Sequence, residues 1–364
     1  MALILTFLGK GGTGRTTIAI AAAKRLASQG KRVLLAAEDN QIGFGLLLNT
    51  TPTPDPQELE PNLQVMQFKT SLLLERNWEE VKKLEAQYLR TPIVKDVYGQ
   101  ELVVLPGMDK ALILNAIREY DASGKYDVIV YDGSGDSTTL RLLGMPESLS
   151  WYARRFGKLV TDSDLGRTVW PVVQPLLGSF FNINWTGDNF SQPTSKVTNI
   201  LEQGKAALAD PKRLAAYLVT TDDPASLAAA RYLWGSAQLI GLTIGGAILN
   251  QTTMTETVSA DFSPLPVSAV PTCPAGDWQP LMDALPDFTQ APQVPKPIEI
   301  DVAARQVRLF LPGFDKKQVK LTQSGSEIAV EAGDQRRNIN LPSSLSGRTV
   351  SGAKFQQGYL IISL

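Results

Sequence analysis

The sequence contains no histidine and a single cysteine, Cys273, among its 364 residues. The lack of histidine excludes imidazole general bases, Ser-His-Asp triads and almost every zinc or iron site. One cysteine cannot form an intramolecular disulfide, which indicates a reducing compartment such as the cytoplasm. Any chemistry must therefore come from carboxylates, lysine, arginine, hydroxyl groups, backbone amides or a hard cation such as Mg²⁺.

An excess of either charge is also missing, because 35 basic and 36 acidic residues leave a formal net charge of −1. This balance provides no basic footprint for a nucleic acid or an anionic membrane. No apolar run reaches the roughly 18 residues that a membrane span needs. The apolar start, residues 1–8, lacks the basic n-region of a signal peptide and leads directly into a glycine loop. We interpret it as a buried strand rather than a signal peptide.

Short apolar runs alternate with helical patterns up to residue 284. The predicted strands are 3–8, 32–37, 63–68, 102–105, 127–131, 216–220 and 244–249, and the predicted helices are 16–28, 110–120 and 226–238. Continuous apolar strands are typical of parallel strands covered on both faces. The alternation predicts a doubly wound, mostly parallel α/β sheet. Residues 72–98 and 147–210 are mainly helical in pattern and are predicted to form a helical subdomain of a first domain, 1–284.

The character of the chain changes after residue 284. Residues 285–297 are rich in proline, which resists both helix and sheet, and we interpret them as a linker. Residues 298–364 follow with short alternating runs at 298–302, 306–311, 319–322, 327–331, 337–340, 353–356 and 359–364. These runs predict a second, all-β domain, a small antiparallel sandwich.

The strongest motif lies between the first predicted strand and the first predicted helix, which is the context that a phosphate loop requires. Its residues are Gly9, Lys10, Gly11, Gly12, Thr13, Gly14, Arg15, Thr16 and Thr17. Glycines allow backbone N–H groups to converge on a polyphosphate, and the helix N-terminus adds partial positive charge. The motif predicts an ATP site in which the Thr16 hydroxyl coordinates Mg²⁺. A glycine-rich turn without a ligand is the alternative.

A carboxylate follows the apolar strand 127–131. An acidic residue at the carboxyl end of a strand beside a phosphate loop can hold Mg²⁺ through water, and Asp132 is predicted to do so.

The residues Lys10-Gly11-Gly12 resemble the start of the deviant Walker-A loop shared by the ArsA arsenite-pump ATPases, the ATPases that target tail-anchored proteins (the GET type) and the MinD/ParA group. The run 139–143, Thr-Leu-Arg-Leu-Leu, resembles switch II of the ArsA/GET-type ATPases. This resemblance implies that Lys10 reaches across a homodimer to the partner's nucleotide. It also implies that Asn250, at the end of a predicted strand, faces the adenine, whose edge an amide can match. A strand-terminal turn asparagine is the alternative.

Three elements depart from that family pattern: the phosphate loop, switch II and switch I. Arg15 replaces the second lysine of the loop: it keeps the positive charge, but its guanidinium is a larger planar fork that can displace the nucleotide or point away. The backbone of the loop would still bind phosphate. Ser137 and Thr138 replace a glycine and a histidine of switch II. Leu46 replaces the aspartate that orients water, although Asp39 of the same switch is retained and is predicted to assist the Mg²⁺ site and catalysis. Asp136 is a candidate substitute base; solvated loop acids are the alternative. Together the departures predict slow, altered or lost hydrolysis.

The second domain resembles a small heat-shock, or α-crystallin, domain. The resemblance rests on Leu311-Pro312-Gly313, on Leu341-Pro342 and on the Ala-x-Phe-x-x-Gly-x-Leu-x-Ile pattern of residues 353–362. It implies that the domain binds a partner strand or packs on its own ATPase domain.

The apolar stretch 170–181 has two interpretations, a core segment or a groove for a client's membrane helix, as in the targeting ATPases. The function predicted first is an ATP-binding, Mg-dependent switch with chaperone or targeting character. The alternatives are an ATPase that energises anion export or client maturation, and a scaffold with a vestigial site. The single cysteine counts against an arsenite pump and excludes the zinc-linked dimer of the targeting members.

Overall fold

The computed structural model describes residues 1–39, 43–88, 96–162, 193–272 and 276–364. The strands of the first domain are β1 (Leu3–Leu8), β2 (Val33–Ala37), β3 (Gln57–Glu60), β4 (Leu63–Gln67), β5 (Val128–Asp132), β6 (Leu214–Thr220), β7 (Thr243–Asn250) and β8 (Val267–Val270). Its helices are α1 (Arg15–Ser28), α2 (Phe44–Leu48), α3 (Thr70–Tyr88), α4 (Met108–Ala122), α5 (Ser137–Asp162), α6 (Pro193–Ala209), α7 (Pro224–Ile240), α8 (Glu256–Asp261) and α9 (Gln279–Ala284).

These strands form one eight-stranded sheet in the order β3-β4-β2-β5-β1-β6-β7-β8. All neighbours are parallel except β3 and β4. Strand β1 lies between β5 and β6, and β2 lies on the other side of β5. The carboxyl ends of β1, β2 and β5 therefore lie side by side, which is where ligands bind in open parallel sheets.

Two apolar layers cover the sheet, as the doubly wound prediction requires. On one face α1 buries Ile18, Ile20 and its run of alanines against the strands. On the other face α7 buries Trp234. Every residue of β2, β5 and β7 is buried, which explains their nearly unbroken apolar sequences.

Three details of the sheet differ from the sequence prediction: one predicted strand is absent, and two strands, β3 and β8, are additional. The predicted strand 102–105 is wrong, because these residues pair with no strand and expose Val103 and Leu105 to 77% and 59%. Strand β3 was not predicted: it is a short edge strand with the polar sequence Gln-Glu-Leu-Glu, antiparallel to β4. An edge strand with one exposed face need not be apolar, so hydrophobicity alone does not reveal it.

The predicted helical subdomain falls partly on described residues, where α3, α5 and α6 lie. The apolar stretch 170–181 lies outside the described residues. Among the helices that the structure describes, none combines the length and the apolar character needed to cross a bilayer.

The proline-rich segment is packed on the first domain, and the expectation that it resists helix is wrong. Residues Phe288–Gln293 form a 3-10 helix, whose first N–H groups are satisfied in part by Asp287, which accepts a 2.9 Å bond from Thr289 N. Phe288 is 3% exposed and its ring lies 4.9 Å from that of Tyr217. A short 3-10 turn tolerates proline where a longer α-helix does not. The domain boundaries themselves stay a prediction.

The tail domain is an antiparallel all-β unit, as predicted. Its strands are β9 (Ile298–Asp301), β10 (Gln306–Phe310), β11 (Val319–Ser324), β12 (Glu327–Ala332), β13 (Gln335–Asn340), β14 (Gly352–Gln356) and β15 (Tyr359–Ser363). They form one sheet in the order β14-β15-β10-β9 and a second in the order β11-β12-β13. Apolar residues of both sheets, including Val307, Ile328, Val330 and Ile362, share one core.

Aromatic side chains join the tail domain to α7. The Trp234 ring lies 5.6 Å from Phe310, and the Tyr232 ring lies 5.5 Å from Phe314. Gly235 lies between them, where a Cβ atom would overlap the Pro312 carbonyl and the Phe314 ring. We refer to these five aromatic and glycine residues, Tyr232, Trp234, Gly235, Phe310 and Phe314, as the docking face.

A smaller polar contact joins the tail to α5. Arg141 Nη2 lies 3.0 Å from Asp334 Oδ2, and Asp334 Oδ1 accepts a 2.9 Å bond from the Tyr232 hydroxyl. The Arg141 side chain is 63% exposed. The tail is therefore held to α7 by buried rings and to α5 by a solvated ion pair.

Candidate nucleotide-binding site

The predicted phosphate loop connects the central strand β1 to the long helix α1. Gly12 and Gly14 have φ angles of +87° and +88°, in the left-handed region that glycine adopts at little cost. The Thr13 hydroxyl donates a 2.9 Å bond to the Lys10 carbonyl and closes the turn. Gly11 and Gly12 are exposed at the helix N-terminus, so their backbone can be reached by an anion.

Neighbouring strands support this loop from beneath. A Cβ on Gly9 would overlap the Val219 carbonyl, and one on Gly14 would overlap the Asn250 amide. Asn250 is 4% exposed and its Nδ2 donates a 2.9 Å bond to the Thr13 carbonyl. The structure thus brings Asn250 to the phosphate loop as a support, and its contact with an adenine stays a prediction.

The loop that follows β5, residues 133–136, is attached to the phosphate loop. Gly9 N donates a 2.9 Å bond to the Gly135 carbonyl, and Gly135 N donates a 2.9 Å bond to Thr139 Oγ1. Asp136 Oδ1 accepts bonds of 2.8 Å from Ser134 Oγ and from Thr138 N at the start of α5. Burial raises the pKa of Asp136, but these hydrogen bonds and the charge of Arg15 outweigh it and lower that pKa overall.

Arg15 turns toward the β5 loop. Its guanidinium lies against Gly135, where a Cβ would overlap it, and Gly135 has a φ of +64°. Nε and Nη1 of Arg15 are buried and have no hydrogen-bond partner among the described residues. Burial lowers the pKa of Arg15, while the charges of Asp132, Asp136 and Glu38 raise it.

Asp132 ends β5 and is 2% exposed. Burial raises the pKa of Asp132 to about 6, against the lowering effects of a hydrogen bond from Thr16 and of the charge of Arg15. Its Oδ2 atom is buried and has no partner among the described residues. Two hard oxygen donors, the Thr16 hydroxyl and this carboxylate, therefore lie together, and a hydrated Mg²⁺ fits such a pair.

The protein supplies few ligands for a metal. Within the described ranges, no group of three or more acidic, histidine or cysteine side chains is placed to hold one. Asp39 is exposed, and its Oδ2 accepts a 2.9 Å bond from Thr70 Oγ1. An Mg²⁺ ion would thus depend mainly on phosphate oxygens and water, as it does in many nucleotide sites.

Two further predicted positions, Lys10 and Leu46, are exposed. The pKa of Asp223, which caps α7, is lowered by hydrogen bonds from Ser226 and Thr221 and, to a smaller extent, by the charge of Lys10. Leu46 projects from α2 and is 82% exposed. A leucine cannot orient a water molecule, whatever its exposure.

A buried ion pair at this edge was not recognised in the sequence. Glu38 is 1% exposed; its Oε2 lies 2.9 Å from Lys110 Nζ, and its Oε1 accepts a bond from the Tyr131 hydroxyl. Glu38 N also donates a 3.1 Å bond to the Asp132 carbonyl. Its sequence position could have identified Glu38, because it follows the apolar strand β2 directly. Asp132 was predicted by the same criterion, an acidic residue directly after an apolar strand.

A glycine loop between a central parallel strand and a helix, beside a buried strand-terminal aspartate, defines a P-loop nucleotide-binding protein. The pattern of the anion-transporting ATPases matches residues 2–265, and that of the HSP20-like domain found in ArsA matches residues 303–364. The chain therefore belongs to the anion-transporting (ArsA) ATPase family, with a fused HSP20-like domain. Both resemblances inferred from the sequence are confirmed.

Relatives are found in several bacteria, and two of the three described next match over nearly the whole chain. A Chlorobaculum tepidum protein provisionally named an arsenical pump-driving ATPase is 25% identical over 389 residues, covering 99% of this chain and 95% of that protein. A relative from Aquifex aeolicus with the same kind of name is 22% identical and covers 99% of both chains. The arsenical pump-driving ATPase of Escherichia coli is 26% identical over 159 residues, which are 41% of this chain and 26% of that protein.

Proposed function

We propose that this chain is an ATP-dependent switch of the ArsA/GET type, which binds ATP with Mg²⁺ at residues 9–17 and hydrolyses it slowly. The observation that carries the proposal is the supported glycine loop at the sheet edge, with exposed backbone at Gly11 and Gly12 and a buried carboxylate, Asp132, beside it. Backbone N–H groups and the α1 N-terminus would bind the phosphates. Thr16 and Asp132 would hold Mg²⁺, which supplies charge neutralisation at the phosphates.

We expect slow hydrolysis because none of the candidate groups is well suited to activate a water molecule. Leu46 cannot accept a proton, and Asp136 already accepts two hydrogen bonds and carries a lowered pKa, which makes it a weak base. Asp39 is engaged by Thr70. We expect turnover below about 0.1 per second, against about 10 per second for a typical enzyme.

The experiment combines ATP titration by calorimetry with a phosphate-release assay. We expect binding below millimolar ATP with little turnover. Replacing Leu46→Asp restores a carboxylate on an exposed position that needs no repacking. We expect turnover to rise by at least about tenfold, toward the roughly 10²–10⁴-fold that one positioned acid–base group contributes. Leu47→Asp, on the adjacent 43% exposed residue, is the matched control and should change nothing.

Two results would contradict the proposal in different ways. If neither wild type nor variants bind millimolar ATP, the scaffold alternative with a vestigial site is correct. If the wild type already turns over several times per second, it is a true ATPase, and export of an anion or client maturation becomes the better proposal. The names of the relatives favour that second candidate.

We further propose that the protein acts in the cytoplasm, as a homodimer, on a protein client with chaperone or targeting character. Lys10 is exposed at the site and Leu46 and Leu47 lie exposed on α2, so a second copy could meet this edge. Sedimentation velocity with and without ATP tests the dimer: we expect ATP to increase the dimer fraction, and a monomer under both conditions would contradict it.

A further inference from the structure

A cavity of about 200 Å³ lies where α5, the end of α7 and the tail strand β13 meet. None of the residues predicted for the nucleotide site lines it. A water molecule occupies about 30 Å³ in the liquid, so the cavity has room for a small ligand and not only for one ordered water. It lies at the junction of the ATPase domain and the tail.

Three arginines line this cavity, and two of them already have carboxylate partners. Arg141 Nη2 lies 3.0 Å from Asp334 Oδ2, and Arg336 Nη1 lies 2.8 Å from Glu331 Oε1. Arg337 forms no ion pair within the part of the chain that the structure describes. The charge of the third arginine is therefore the one that a ligand could balance.

The guanidinium of Arg337 is held in a defined place. Its Nη1 donates a 3.3 Å bond to the Leu239 carbonyl at the end of α7, and a Cβ on Gly241 would overlap it. A guanidinium carries five N–H donors, so this single bond leaves most of them available. Arg337 is partly exposed and lines the cavity, so a ligand there can reach its free donors.

The surroundings balance the charge of Arg337 only in part. Burial lowers the pKa of Arg337, and the charge of Glu147 raises it to a smaller extent. Glu147 is itself shared with Lys205, whose Nζ lies 3.3 Å from Glu147 Oε2. A partly buried cation without a full counter-charge is costly. An oxyanion would supply that charge, and two of its oxygens match the planar fork of a guanidinium.

We propose that this cavity binds a small tetrahedral oxyanion, such as inorganic phosphate or sulfate, with the Arg337 guanidinium as its principal ligand. The other oxygens of the ion would accept from N–H groups that Arg141 and Arg336 do not use for their carboxylates. The bound ion would contact α5 and β13 together and would strengthen the attachment of the tail. This site is independent of the proposed nucleotide site.

The test titrates the full-length protein with inorganic phosphate by calorimetry and by thermal unfolding, with sodium chloride at equal ionic strength as the reference. We expect the wild-type melting temperature to rise with phosphate. Arg337→Gln should weaken binding by more than about tenfold, because hydrogen bonds to a charged group are lost. Arg348→Gln, at an exposed arginine of the same domain, is the matched control and should change nothing. Phosphate that binds at the glycine loop is common to all variants, so differences between them report the cavity.

A second variant leaves Arg337 in place. Ser148 of α5 also lines the cavity, and its hydroxyl donates a 3.3 Å bond to the Gly144 carbonyl of its own helix. Ser148→Asp adds a carboxylate there, which repels an anion and takes over the role of counter-charge. We expect the response to phosphate to disappear in Ser148→Asp and to persist in Ser148→Ala. Far-ultraviolet circular dichroism shows that each variant is folded.

Three results would overturn the inference. If the wild type responds to phosphate no more than to sodium chloride, the cavity is not an oxyanion site. If either Arg337→Gln or Ser148→Asp responds as the wild type does, phosphate binds elsewhere. If Arg348→Gln loses the response as strongly as Arg337→Gln does, the effect reflects overall charge and not this cavity. None of these results bears on ATP binding at residues 9–17, so the proposed function is tested separately.

Discussion

At both the phosphate loop and the docking face, two segments of the chain approach each other closely at a glycine. The groups that lie against the glycines differ between the two regions. At the loop, the groups that leave no room for a Cβ on Gly9, Gly14 and Gly135 include a carbonyl, an amide and a guanidinium. At the docking face, Gly235 meets a carbonyl and the Phe314 ring, between two aromatic pairs. The neighbours of the loop glycines are polar groups, whereas Gly235 lies between aromatic pairs that pack edge to face. We therefore expect the tail to stay packed on the ATPase domain.

The largest expected effect comes from removing a ring at the docking face. Phe310 is 4% exposed and lies 5.6 Å from Trp234 and 4.8 Å from Tyr359. We expect Phe310→Ala to lower the free energy of unfolding by about 3–5 kcal/mol, as large cavities do. Urea unfolding followed by tryptophan fluorescence measures it, with Val302→Ala, at a 46% exposed residue, as the control. A loss below about 1 kcal/mol would show that the face is not a packed interface.

An intermediate effect is expected where α7 meets the tail backbone. Gly235→Ala adds a methyl that overlaps the Pro312 carbonyl, and we expect a loss of about 1–3 kcal/mol by overpacking. Gly144→Ala is the matched helical control, because its Cβ would lie 3.6 Å from Ile240 in ordinary contact. Alanine favours helix over glycine by about 1 kcal/mol, so the control should gain stability. Equal shifts in thermal unfolding for both variants would contradict the close approach.

The smallest effect belongs to the ion pair between α5 and the tail. A double-mutant cycle with Arg141→Ala and Asp334→Ala should give a coupling of about 0.5 kcal/mol, because the pair is largely exposed and screened by salt. Since α5 begins next to Asp136 at the site, we expect saturating ATP to change this coupling while the cost of Phe310→Ala stays the same. An unchanged coupling would show that α5 and the tail do not shift relative to each other.

Strong local patterns predicted most of the architecture. The sheet was predicted from continuous apolar strands such as β2 and β5, and the phosphate loop from the glycine run after β1. Both patterns are compatible with few other local structures. The strand predicted at 102–105 failed because Val103 and Leu105 lie exposed on the surface, which local hydrophobicity cannot indicate. The 3-10 helix at 288–293 depends on the burial of Phe288 against Tyr217, far away in the chain.

Most residues of the candidate site could be predicted from the sequence, but the contacts between them could not. Arg15 was recognised as unusual, while its place against Gly135 depends on how two loops meet in space. The pairing of Glu38 with Lys110 joins positions 72 apart in sequence, and no local pattern encodes it. Asn250 was identified by its position at a strand end, whereas its bond to Thr13 follows from the order of the strands.

The bond between Gly9 N and the Gly135 carbonyl is made by backbone atoms alone. Substitutions at the other residues of the two loops leave the two bonded atoms in place, because neither atom belongs to a side chain. Only proline at position 9, which has no N–H, would remove the donor directly. The unusual Arg15 therefore lies beside this bond without taking part in it.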